Sequence, residues 1–123
     1  MNELIAEKWI QALESDKYKQ GRGNLACGDC NCATGVLCEL AKDAGVVEKR
    51  KSCSYSEEYK LYLFDTEFGS IPESVRKWAG LETHSAYYHG EIKSCDCVVY
   101  DNDSAQMTFK EIAEKIRLNW PNM

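Results

Sequence analysis

A short segment rich in lysine, arginine and glycine offers the clearest chemistry in this chain. It reads Lys17-Tyr18-Lys19-Gln20-Gly21-Arg22-Gly23. Lysine and arginine donate charge-assisted hydrogen bonds to anions, glycine lets backbone amides approach an anion, and tyrosine can stack on a base. The Gly-Lys-Ser/Thr ending of a P-loop is absent. The pattern therefore predicts a binding site, different from a P-loop, for a phosphorylated or nucleotide-like ligand. The alternative is a solvated turn whose glycines serve backbone geometry alone.

The chain has seven cysteines, and the spacing of four of them suits a metal. A structural zinc ion needs four ligands, usually from two short knuckles. The candidate ligands are Cys27, Cys30, Cys95 and Cys97, and His84 or His89 could replace one of them. The alternative is a set of reduced thiols that pack as small apolar side chains, which is what we expect of Cys38. Structural zinc is thus possible, and no other cofactor is predicted.

A third polar group is Asp101-Asn102-Asp103, which we expect in a turn between a strand and a helix. Amide and carboxylate groups there could bind ligand hydroxyls or a metal, although Asn and Asp also favour turns for backbone reasons. Asn102 and Asp103 join the candidate ligand-binding residues. No recognisable signature surrounds a pair of cysteine and histidine, so no catalytic residues are predicted and an enzyme is disfavoured.

Length and charge narrow the function further. The 123 residues predict one domain, residues 1–123, with a core large enough to fold without disulfides. A formal net charge of −5 argues against bulk nucleic acid as a partner. The charged first residues predict an amphipathic helix rather than a signal peptide, and no apolar run of about 18 residues is present to span a membrane. We therefore expect a cytoplasmic protein with reduced cysteines.

Hydrophobic periodicity places these residues on elements. Helices are predicted over 3–14, with Leu4, Ile5 and Trp9 inward, and over about 33–44, with a loop over 15–31 between them. A β-favouring segment follows at 60–64, and Pro72 in a first turn predicts a helix that ends at Gly80. Residues 95–100 are predicted as a strand, and a capping box formed by Thr108 and Glu111 begins a last helix over about 109–119. The fold class is α+β, a compact single domain of about four helices with a small β-sheet.

Several segments together resemble an uncharacterised family of small phage and prophage proteins. They are Trp9-Ile-Gln-Ala-Leu13, Tyr18-Lys-Gln-Gly-Arg-Gly23, Gly35-Val-Leu-Cys38, Pro72 with Val75-Arg-Lys-Trp-Ala-Gly-Leu81, and Asn102-Asp103 before Phe109-Lys-Glu-Ile-Ala113. The family usually has paired cysteines before the Gly-Val-Leu-Cys segment, where this chain has Asn31-Cys32-Ala33-Thr34. Because Cys27, Cys30, Cys95 and Cys97 lie outside the shared pattern, the resemblance does not support zinc as the function of the family.

The resemblance implies a phage accessory role in the cytoplasm of a host cell. By analogy with small anti-defence proteins, we expect a homo-oligomer that sequesters a small nucleotide-derived signalling molecule without catalysis. The alternatives are an inhibitor that binds a host protein by surface contact, and a small zinc-stabilised regulatory domain.

Overall fold

The computed structural model describes residues 1–89 and 95–123. This part of the chain contains five α-helices and five short strands. The helices are α1 (Glu3–Glu14), α2 (Ala33–Asp43), α3 (Glu73–Ala79), α4 (Val98–Asp103) and α5 (Phe109–Asn119), and a 3₁₀ turn (Trp120–Asn122) follows α5. The strands are β1 (Lys19–Gln20), β2 (Ala26–Cys27), β3 (Cys30–Asn31), β4 (Lys49–Lys51) and β5 (Tyr62–Phe64). This confirms the α+β class, with one helix more than expected.

The strands form two small sheets. The first has the order β1-β3-β2, with β1 parallel and β2 antiparallel to β3. The second pairs β4 with β5 in antiparallel fashion, with Lys49 opposite Phe64. The first sheet lies in the segment predicted to be a loop. Its strands have only two residues each, which is too few to show the alternation of side chains that predicts a strand.

Helix α1 follows its predicted periodicity with one exception. Ile5, Trp9 and Leu13 are buried, and the Asn2 side chain caps the helix by accepting from Ile5 N at 3.1 Å. Leu4, which was expected on the same apolar face, is instead 73% exposed. Its position lies one residue outside the i, i+4 row that packs inward.

Helix α2 lies at the centre of the core and is buried on nearly every side. Trp9 Nε1 donates to Ala33 O at 2.9 Å, which fixes α1 against the first turn of α2. Gly35 faces the backbone of the preceding segment so closely that an added Cβ would lie 1.8 Å from Leu25 O. Glycine is therefore required there by close approach and not by an unusual dihedral angle.

The prediction of a strand over residues 95–100 is wrong. Val98–Asp103 is a helix, and Cys97 is its N-cap residue, with Sγ accepting from Tyr100 N at 3.4 Å. The β-branched and aromatic residues Val98-Val99-Tyr100 favour a strand locally. Burial of Val98, Asp101 and Asn102 on one helical face, against α2 and α5, overrides that preference. The expected turn at Asp101–Asp103 is consequently the end of α4.

The remaining helices begin and end close to their predicted positions. The capping box of α5 is confirmed, since Thr108 and Glu111 bond each other's backbone amides. Helix α3 begins after Pro72 and ends at Gly80, which adopts a φ of 70°. Among the described residues, no helix has the length and apolar composition needed to cross a membrane.

Candidate functional site

The buried Asn102 side chain connects α4 to residues 17–23, which we call the basic glycine segment. Its Oδ1 accepts from Gln20 Nε2 at 2.8 Å and from Ala33 N at 3.1 Å, and its Nδ2 donates to Gly21 O at 2.9 Å and to Asp103 Oδ1 at 2.8 Å. These bonds use both hydrogens of the amide and both lone pairs of its oxygen. Asn102 is therefore a positioning residue that ties the segment to the start of α2.

Asp103 and Gln20 extend the same network. Asp103 Oδ1 also accepts from Gly23 N at 3.0 Å, and Gln20 Nε2 also donates to Met107 O at 2.8 Å. Three members of the predicted loop group, Gln20, Gly21 and Gly23, thus bond Asn102 or Asp103. These contacts hold residues 20–23 against the end of α4.

The side chains of the loop point in different directions. Lys19 lies 3.9 Å from Asp29, Gly21 packs against the Cβ of Cys30, and Arg22 is exposed. The Lys17 ammonium lies 5.3 Å from the centre of the Tyr18 ring. Tyr18 and Gln20 line a concave surface.

That surface is a pocket of about 220 Å³ between the end of α1, the segment after it and the start of α5. Leu13 and Phe109 are its buried apolar members. The polar members are Asp16, Tyr18, Gln20, Thr108 and Lys110. The lining of the pocket therefore combines apolar, aromatic and polar side chains and carries charges of both signs.

Thr108, Phe109 and Lys110 at the start of α5 line this pocket. The first amides of a helix have no acceptor within the helix, and at α5 Thr108 Oγ1 accepts from Glu111 N. The amides of Phe109 and Lys110 belong to the same first turn, where the helix dipole also favours a negative charge. Thr108 and Lys110 were not predicted as site residues, although the capping box in the sequence does locate this helix end.

The four cysteines considered for zinc form two separate pairs. Cys27 and Cys30 lie opposite each other on β2 and β3, whereas Cys97 caps α4 and Cys95 is exposed before it. Within residues 1–89 and 95–123, no group of three or more His, Cys, Asp or Glu side chains is placed to hold a metal. The structure thus does not gather the predicted ligand set, and zinc binding stays a prediction.

A second polar cluster, which the sequence did not indicate, surrounds the carboxylate of Asp101. Tyr88 Oη donates to Asp101 Oδ2 at 2.8 Å, and Lys115 Nζ donates to the same oxygen at 2.7 Å. Burial, and then the hydrogen bond to Asp101, raises the pKa of Tyr88 far above its usual range. This cluster joins α4 to α5 and keeps a buried carboxylate paired.

The two histidines contact carboxylates. His84 Nε2 lies 3.1 Å from Glu73 Oε2, and His89 Nε2 lies 3.0 Å from Asp96 Oδ2. Burial raises the pKa of the thiols of Cys32, Cys38 and Cys97, which disfavours their nucleophilic thiolate forms. These surroundings suit structural roles.

Comparison with known proteins gives one match. A family model described as a domain of unknown function, DUF8296, matches residues 1–119. No curated protein and no solved structure matches the chain. The family description names neither a source nor an activity, so the resemblance to phage and prophage proteins stays a prediction.

Proposed function

The chain belongs to the DUF8296 family, and we propose that it is a binding protein that sequesters a small nucleotide-derived signalling molecule without converting it. In this proposal it is a phage accessory protein that acts against a defence system in the host cytoplasm. The observation that carries the proposal is the pocket formed by Tyr18, Gln20 and the first turn of α5.

The chemistry of the pocket suits a nucleotide. The Tyr18 ring would offer a face for a base, and Leu13 and Phe109 would add apolar contact. Lys17 lies beside Tyr18, and Lys110 lies on the rim near the backbone amides of the α5 first turn. An anionic phosphate at that end would receive charge-assisted hydrogen bonds.

The pocket of one chain is small for a whole nucleotide. Its 220 Å³ falls below the range of about 300–1,000 Å³ that is typical for small-molecule sites. One chain would therefore hold a base or a phosphate with part of a sugar, and a second copy would cover the rest. We accordingly propose a homo-oligomer with the ligand at the subunit contact.

The proposal is tested by a thermal-shift screen with nucleoside monophosphates, dinucleotides and cyclic nucleotides. A compound that binds only the native state raises the melting temperature with concentration. We expect one class to do so, Tyr18→Ala and Lys110→Ala to remove the shift, and Lys8→Ala, which changes an exposed lysine on α1, to retain it. A shift that survives both pocket variants would place binding elsewhere.

Recovery of the ligand separates sequestration from catalysis. After heat denaturation, the released compound should match the input compound by chromatography, since no covalent step has occurred. Product in excess of the protein would instead identify an enzyme that acts on the nucleotide.

An inhibitor of a host protein is the second candidate. Leu4 and Leu118 are 73% and 71% exposed on α1 and α5, two helices that pack together. Large exposed apolar side chains are typical of protein contacts when they form one patch. Light scattering distinguishes the uses of the exposed Leu118. If Leu118→Glu converts an oligomer to a monomer, Leu118 serves self-association, and an unchanged mass leaves it available to a host protein.

A further inference from the structure

Cys27 and Cys30 lie directly opposite each other in a β-hairpin whose loop has two residues. Strands β2 and β3 are antiparallel with Cys27 paired to Cys30, and Gly28-Asp29 connects them. Gly28 has a φ of 63°, the positive value that hairpin turns with glycine at the first central position require. The turn thus fixes the two cysteines as neighbours.

The hairpin geometry is compatible with a disulfide. The ends of a β-turn have Cα atoms less than about 7 Å apart, and disulfides join residues whose Cα atoms are about 4.4–6.8 Å apart. Residues directly opposite in an antiparallel pair also project to the same face. The strand pairing therefore places the two cysteine side chains as neighbours on one face of the hairpin.

Both thiols are accessible to a small reagent, since Cys27 and Cys30 are partly exposed while Cys32 and Cys38 are buried. Cys30 Sγ donates to Asp29 Oδ1 at 3.5 Å. Burial, this hydrogen bond and the charge of Asp29 together raise the pKa of Cys30, against an opposing effect of Lys19. The raised pKa lowers the thiolate fraction of Cys30 near neutral pH, and that fraction grows as the pH rises.

We propose that Cys27 and Cys30 are a covalent modification site that forms a reversible intramolecular disulfide by exchange with a small disulfide of the glutathione type. The thiolate of one cysteine attacks a sulfur of the oxidised reagent, whose S–S bond breaks and releases one glutathione thiolate. The other cysteine loses its proton to solvent and attacks the protein sulfur of the mixed disulfide, which releases the second glutathione. Two protein thiols are oxidised, and one glutathione disulfide is reduced to two thiols.

The site lies directly behind the basic glycine segment. Strand β1 pairs with β3 so that Lys19 lies beside Cys30, and an added Cβ on Gly21 would meet the Cys30 Cβ at 2.9 Å. Oxidation would therefore fix the strand against which residues 19–21 rest. The proposed disulfide does not depend on the proposed nucleotide ligand, and each can fail without the other.

The test is a titration of the native protein with oxidised glutathione, followed by an acid quench, alkylation of free thiols and peptide mass mapping. We expect a Cys27–Cys30 disulfide in which the peptide has lost two hydrogens and carries no glutathione. Cys30→Ser should instead retain one glutathione on Cys27, because the resolving thiol is absent. Cys53→Ser, which removes an exposed thiol outside the hairpin, should leave the result unchanged.

Two results would overturn the proposal. One is retention of glutathione on Cys27 in the unaltered protein to the same extent as in Cys30→Ser. The other is a hairpin that stays reduced at a glutathione ratio that fully modifies Cys53. The second result is measured on the unaltered, folded chain alone, so a folding defect in a variant cannot obscure it.

Discussion

The side chains of Gln20 and Asn102 meet at 2.8 Å although 82 residues separate them in the chain. Asn102 belongs to a helix and Gln20 to a short strand, and the contact brings the predicted loop residues to the end of α4. Because Asn102 also bonds Ala33 N and Gly21 O, one buried amide holds three segments together.

Replacement of Asn102 by alanine should lower the free energy of unfolding by about 3 kcal/mol, since it leaves the buried amide of Ala33 and the carbonyl of Gly21 without this partner. The measurement is the denaturation midpoint in urea. Asn24→Ala removes an exposed bond to Tyr59 and should cost about 0.5 kcal/mol. Equal losses in the two variants would contradict the positioning role of Asn102.

The sequence is most informative where one helix buries one face. The ends and apolar faces of α1 and α5 follow from periodicity and from the Thr108–Glu111 capping box. The prediction of a strand at 95–100 is wrong because tertiary packing outweighs the local preference of Val98-Val99-Tyr100 for a strand.

The candidate site was predictable only in part. Clustering of lysine, arginine and glycine drew attention to Tyr18 and Gln20, which do line the pocket. The contributions of Leu13 and Lys110 depend on how α1 and α5 cross, which no short pattern encodes. The bonding of Asn102 depends likewise on contacts made across the whole chain.

Gly35→Ala should destabilise the protein strongly even though alanine is the better helix former. The added Cβ would lie 1.8 Å from Leu25 O, so either the helix or the backbone before it must move. We expect a loss of about 3 kcal/mol or more in chemical denaturation, from overpacking against an immobile backbone. Gly69→Ala is the matched control. Its Cβ would meet only Gly23 O at 3.8 Å, and it should change stability by less than about 0.5 kcal/mol.

The pair of Glu39 and Lys49 should give a distinct acid dependence. Burial raises the pKa of Glu39, but the hydrogen bond and charge of Lys49, with Asn31 and Lys42, outweigh burial and hold that pKa below its usual range. The folded pKa of Glu39 lies below the unfolded value of about 4.3. The stabilisation of the folded state by ionised Glu39 is therefore fully present above about pH 4.3. It is lost as the pH falls through the folded pKa.

Lys49→Met should therefore lower stability by about 2–3 kcal/mol at pH 7, where it removes the cation that lies 2.7 Å from a largely buried carboxylate and leaves Lys42 and Asn31 as its remaining partners. The loss should shrink in acid, as Glu39 becomes protonated in both proteins. Urea denaturation across the pH range measures this. Arg50→Met, an exposed change on the same strand, should show no such pH-dependent difference. A Lys49→Met defect that stays constant from neutral pH to acid would mean that the ion pair is not its cause.

Thiol labelling should follow burial and pKa. Cys53 and Cys95 are exposed, whereas Cys38 is buried and burial raises its pKa well above the usual range. In native protein, iodoacetamide should modify the exposed pair first and Cys38 only through unfolding, which is slower by roughly a thousandfold or more. Time-resolved peptide mapping gives the rates, and all seven cysteines should react alike in concentrated urea. Rapid labelling of Cys38 in the native protein would contradict a closed core around α2. In the Gly35→Ala variant, labelling of Cys38 should be faster because the substitution displaces the same helix.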